Sequence, residues 1–75
     1  MKLFVVNLYY GIIVYVAESK NDVVEMMRGD KELWDQEFRG LDGSEWSMED
    51  VFGSIYEIPD RKVIGHKGSI AYYKE

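Results

Sequence analysis

The chain is predicted to fold as one α+β domain, residues 1–75, with a mostly antiparallel sheet of four or five strands packed against short helices. Three observations predict it. Runs rich in Val, Ile and aromatic residues lie at both ends of the chain; Ser or Asp residues stand before three short amphipathic stretches in the middle; and Gly or Pro marks the junctions. The implied order is ββ-α-α-(α)-βββ. Seventy-five residues allow one core only, since chains of about this size bury roughly 60% of their unfolded surface. A hydrophobic content of 47%, with 15% aromatic residues, separates the chain from disordered sequences.

Residues 3–9 and 12–17 alternate Val, Ile, Leu and aromatics around Tyr10-Gly11, which predicts a β-hairpin. A two-residue turn there puts Phe4, Val6 and Leu8 on one face with Ile13, Tyr15 and Ala17. The opposite face takes Leu3, Val5, Tyr9, Ile12, Val14 and Val16, with Asn7 as its polar member. Both faces are apolar, whereas a hairpin with one wet face alternates apolar with polar.

Ser19 is a helix N-cap with Asp22 in the capping-box position, and Val23, Met26 and Met27 follow at helical spacing. Gly29 suits the C-terminal end, and Asp30 caps a second helix over 31–38 that carries Trp34 and Phe38 on one side. Gly40-Leu41-Asp42-Gly43 is a loop. Ser47, with Asp50 three residues on, caps a third short helix, and Trp46 is placed to staple onto Val51. Residues 55–58 read as a strand ended by a Pro59-Asp60 turn, and 62–66 with 69–74 as a last hairpin around Lys67-Gly68. Its faces would be Val63, Gly65, Ile70 and Tyr72 on the core side and Lys62, Ile64, His66, Ser69, Ala71 and Tyr73 on the other.

Charge is segregated. Residues 18–60 hold 13 of the 14 acids against four bases, a net of -9, and the flanks carry +4. Contact of the middle of the chain with nucleic-acid phosphates is repulsive, and a basic protein surface is attracted. The apolar start of the chain is too short to span a bilayer and has Asn7 and Gly11 within it, so no membrane segment is expected and a cytoplasmic location is.

Little in the chain suggests chemistry. His66 is the only candidate base for a nucleophilic dyad, and its neighbours Gly65, Lys67, Gly68 and Ser69 read as a hairpin tip; with one histidine and no cysteine a structural zinc site lacks ligands, and no enzyme activity, metal or cofactor is expected. Gly65-His66-Lys67-Gly68-Ser69 lacks the spacing and the following helix of a phosphate loop. Tyr9-Tyr10 and Tyr72-Tyr73 each direct one ring outward, as core-plus-surface residues or as interface anchors.

The passage Tyr15-Val16-Ala17-Glu18-Ser19-Lys20-Asn21-Asp22-Val23-Val24-Glu25, a strand running straight into a capped helix, resembles a module of small bacteriophage and mobile-element proteins. Among proteins of this size and acidity, that group includes inhibitors of host defence such as anti-CRISPR proteins. The resemblance covers about the first third of the chain and implies a stoichiometric inhibitor of a bacterial nucleic-acid-binding or defence protein. It assigns no residue a role.

The expected partner-binding residues are the acids Asp30, Glu32, Asp35, Glu37, Glu45, Glu49 and Asp50, as one face. Leu3, Val5, Tyr9, Ile12, Val14 and Val16 are expected to mediate a homodimer, because the helices can cover only one side of the sheet. Two other functions fit the same residues. One is a carrier or sponge for a nucleotide-like ligand, held by Tyr9 or Tyr73 with Lys62, His66 or Lys67. The other is an accessory subunit or antitoxin-like partner.

Overall fold

A computed structural model describes residues 1–74, and the side chains of all these except 60–62 and 71–74. It is an α+β fold in which four antiparallel strands back onto three short helices. Strands β1 (Lys2–Leu8) and β2 (Gly11–Ala17) form the N-terminal hairpin; helices α1 (Lys20–Gly29), α2 (Lys31–Glu37) and α3 (Met48–Gly53) follow; β3 (Ile55–Lys62) and β4 (Gly68–Lys74) complete the sheet. The strand order is β3-β1-β2-β4, so the hairpin sits in the centre and the C-terminal strands flank it.

The hairpin turn is Tyr9-Tyr10, one residue before the predicted Tyr10-Gly11, since Leu8 pairs with Gly11. Moving the turn by one residue shifts the register by two, and because side chains alternate with a period of two, the strand residues keep their predicted faces while Tyr9 passes into the turn. Phe4 lies opposite Tyr15 and Val6 opposite Ile13, all buried beneath the helices. Val5 lies opposite Val14 and Leu3 opposite Val16 on the other face.

The C-terminal half departs from the prediction. Residues 55–62 form one strand rather than a strand, a turn and the start of a hairpin, and β3 and β4 do not pair with each other. Phe4 pairs with Glu57 but Lys2 with Lys62, so three extra residues bulge out of β3 at Pro59-Asp60. Proline has no N–H for a ladder, but an edge strand needs partners on one side only and a bulge releases more of them, so the predicted breaker is accommodated inside a strand. Residues 63–67, predicted as part of the last hairpin, instead cross from one sheet edge to the other. The three intervening strand spacings need about 14 Å, and six Cα steps reach about 20 Å, so a short, nearly extended segment suffices. Gly65, in the middle of this crossing, and Gly68, at its end, have φ +158° and +157°. The predicted faces of that hairpin therefore do not form as drawn: Ile64 and Ile70 are exposed, and the side chains of Ala71, Tyr72 and Tyr73 lie outside the described residues.

The helices follow their caps. Asp22 N–H donates to Ser19 Oγ, and Asp50 N–H to Ser47 Oγ. Asp30 serves two helices at once, since its own N–H closes α1 on the Met27 carbonyl while its carboxylate accepts the Leu33 N–H at the start of α2. Gly29, expected as the cap of α1, is its last helical residue. Val23, Val24 and Met27 of α1, Leu33 and Trp34 of α2, Phe38 after it and Val51 of α3 close over Phe4, Val6, Ile13, Tyr15, Ala17 and Ile55. Each such side chain contributes about 1.5–3 kcal/mol by leaving water. No helix among the described residues is long and apolar enough to cross a membrane.

Candidate functional site

A concavity among the described residues lies where α3 meets β3. Its position is set by an excursion of the chain between α2 and α3. Arg39 bridges to Glu45, and Trp46 N–H donates to the Phe38 carbonyl, so residues 38–46 fold back on themselves. The tip is tied by Gly43 N–H on the Gly40 carbonyl and by Asp42, whose Oδ1 accepts both the hydroxyl and the N–H of Ser44. These bonds, the Ser44 hydroxyl first and its backbone N–H second, hold the Asp42 carboxyl below its ordinary 3.8. Gly43 adopts φ +86°, a left-handed conformation that suits glycine.

This excursion places Trp46 edge-on against Phe38 at 5.5 Å between ring centroids, yet leaves it 45% exposed. Tyr56, on β3 opposite Val5, is 54% exposed. Between them runs an open groove of about 690 Å³, lined by both aromatics with Asn7, Glu45, Glu49 and Asp50. Glu49 and Asp50 sit in the first turn of α3, and neither enters an ion pair among the described residues. Three carboxylates, of which Glu45 is already held by Arg39 and the Trp34 indole, line the groove beside two half-exposed aromatic rings. An arginine offers a flat face to the ring and a fork of donors to the carboxylates.

The seven acids expected to form one face are distributed over four tasks. Asp30 is a helix cap. Glu37 is 5% exposed and turned inward, its Oε2 accepting the Tyr9 N–H at 2.9 Å and its Oε1 the Tyr10 N–H at 3.2 Å. Asp35 is bound by Arg39 Nε at 3.0 Å, and Glu45 accepts from both Arg39 and the Trp34 indole N–H. Glu32, Glu49 and Asp50 are exposed. Glu45, Glu49 and Asp50 line the α3–β3 groove, Asp35 joins Glu45 at Arg39, and Glu37 is turned inward, so the seven acids are spread over more than one surface. Glu37 is unavailable to a partner because the hairpin turn, whose two N–H groups have no ladder partner, draws it in.

Trp46 and Tyr56 were not among the expected binding residues. A large aromatic in the polar run Gly43-Ser44-Glu45-Trp46-Ser47 was the available signal for the first; nothing local distinguished Tyr56 from an ordinary strand residue. Of the residues expected to self-associate, Tyr9 belongs to the turn, 81% exposed, and Val16 is buried, leaving Leu3, Val5, Ile12 and Val14 half-buried on the outer face.

A ligand pocket joining Tyr9 to His66 or Lys67 is not formed. Tyr9 is at the turn end of the hairpin, whereas Lys62 pairs with Lys2 and the 63–67 crossing lies at the other end, about 23 Å away along a seven-residue strand. Lys67 bonds Asp22 at 3.2 Å. The side chains of Lys62 and Tyr73 lie outside the described residues. A second, smaller cleft holds Arg28, Lys31 and Arg39 around Trp34, with Arg28 stacked 5.1 Å above the indole; Asp35 and Glu45 offset its charge. Among the described residues no three His, Cys, Asp or Glu side chains are grouped to hold a metal ion. No family model matches this chain, and no characterised protein or solved structure matches it significantly, so its function has to be read from the chemistry of the groove.

Proposed function

We propose that the chain is a stoichiometric binding protein whose α3–β3 groove takes a basic side chain presented by a partner protein. The observation that carries this reading is the placement of Trp46 and Tyr56, half exposed, beside the unpaired carboxylates of Glu49 and Asp50. Aromatic anchors ringed by polar groups are the usual composition of an interface centre, and the net charge of -5 steers a basic surface toward it. A nucleic-acid-binding protein is the partner class that matches, because its phosphate-contacting arginines and lysines are exposed and already arranged to meet negative charge. Occupying them makes the chain an inhibitor, in keeping with the anti-defence proteins of phages and mobile elements that its sequence resembles.

Calorimetric titration with an arginine-rich decapeptide, and with a control peptide in which citrulline replaces arginine, tests the groove. Binding is expected for the first alone, weakening about tenfold from about 50 to about 300 mM salt, because the attraction is screened. Trp46→Ala should cost a further factor of about ten. Equal binding of the two peptides, or indifference to Trp46→Ala, would refute the groove as the site.

A further inference from the structure

We infer that the sheet face turned away from the helices is the interface of a homodimer, with the two-fold axis passing over the central Val5–Val14 pair. This rests on the sheet and not on the groove reading, although Asn7 and Tyr56 border both surfaces.

The register puts on that face three positions each from β1 and β2, of which Val16 is already buried, Tyr56 of β3, and positions 68, 71 and 73 of β4 opposite Val16, Val14 and Ile12. None of these is a charged residue, in a chain that is 31% charged. A basic partner, the kind the acidic half of the molecule attracts, gains no electrostatic contact here. A second copy fits better, because an uncharged face can be set against itself without bringing like charges together.

The size is adequate. Strands of seven residues and a width of four strands give a face of roughly 23 by 19 Å, so two copies remove about 870 Å² taken as flat surfaces, which the relief of the side chains raises toward the low end of specific interfaces. Two sheets stacked face to face lie about 10 Å apart with strands within about 30° of each other. The helical layers then fall on the two outer sides, roughly 30 Å apart. That exceeds the screening length of about 8 Å in physiological salt, so the -5 charges of the two copies do not oppose association. Tyr56 belongs to both surfaces, which places the dimer centre on β1 and β2 and leaves the groove open at the β3 edge.

Sedimentation equilibrium of the whole chain over about 1–200 µM is the test. The expected result is a shift from 8.8 kDa to twice that mass. Val14→Glu, which sets two carboxylates against each other near the axis, should weaken association roughly 100-fold or more. Val14→Thr is nearly isosteric and suits a strand, so it keeps the fold in any event, and it should weaken association about tenfold. A wild-type monomer at the highest concentration overturns the inference. So does a dimer that persists unweakened in Val14→Thr, which would place the contact on the β4 edge instead.

Discussion

Glu37 allows the sharpest test of how the two halves of the molecule are joined. Its carboxylate, 5% exposed, accepts the N–H groups of both turn residues of a hairpin 27 and 28 positions away in sequence. Glu37→Ala removes both acceptors and leaves two backbone donors in a partly buried place. An unsatisfied buried donor costs about 1–3 kcal/mol and a bond to a charged group contributes at the upper end, so roughly 2–4 kcal/mol should be lost. Glu37→Gln keeps one acceptor oxygen but turns an NH₂ toward the other N–H, and should lose about 1.5–3 kcal/mol despite its equal size. A chain of this length has on the order of 4–11 kcal/mol in total. At about 4–8 °C per kcal/mol, the alanine variant should melt about 8–30 °C lower. Thermal and urea unfolding followed by circular dichroism give the magnitude, and amide hydrogen exchange should show Tyr9 and Tyr10 losing protection selectively. A glutamine variant within about 0.5 kcal/mol of the parent would show that the carboxylate is only space-filling and that the reasoning is wrong.

Three further outcomes follow from the same geometry. Asp30→Ala removes the side-chain cap of α2 while leaving the backbone bond that closes α1, and should cost about 1 kcal/mol in urea denaturation, against less than half that for the exposed Glu32→Ala. Met27→Ala, at a site with no solvent exposure, should cost about 2–5 kcal/mol by the same measurement. Asp42 should titrate by carboxyl-detected NMR below 3.8, and Ser44→Ala should raise it; since the folded-state value is the depressed one, its stabilising effect is present above the unfolded value and is lost as the pH falls through the folded one.

Much of the fold was legible because the relevant signals are local. Ser19, Asp30 and Ser47 each announce a helix by the oxygen they offer to an N–H three residues on, and all three do so in the structure. The two faces of the hairpin were legible even with the turn misplaced, since alternation is insensitive to a register change of two. Pairing between distant segments was not. The chain around Lys67-Gly68 looks like a hairpin tip, and nothing in it reveals that Ser69 will lie beside Tyr15 instead of His66. Glu37 was illegible for the same reason: among the acids of α2 it differs only in its tertiary neighbour. At the site, the carboxylates were visible as charge, whereas their grouping with Trp46 and Tyr56 depends on a loop and a strand that meet only in the folded molecule.

The crossing at the end of the sheet also dictates the order in which the molecule can be completed. The hairpin occupies the middle of the sheet and leaves the ribosome before its two neighbours β3 and β4, with Tyr56 pairing to Val5 and Tyr73 to Ile12. Until they emerge, both hairpin edges stand open and its apolar faces have at most the helices to cover them. Such non-local pairing slows folding and leaves strand edges free to capture other chains. A nascent chain stalled before residue 55 is thus an aggregation hazard. Joining the present ends through a linker and reopening the chain in the 40–44 loop would let β3 and β4 be made first, and should speed refolding by bringing each edge strand closer in sequence to its neighbour in the sheet.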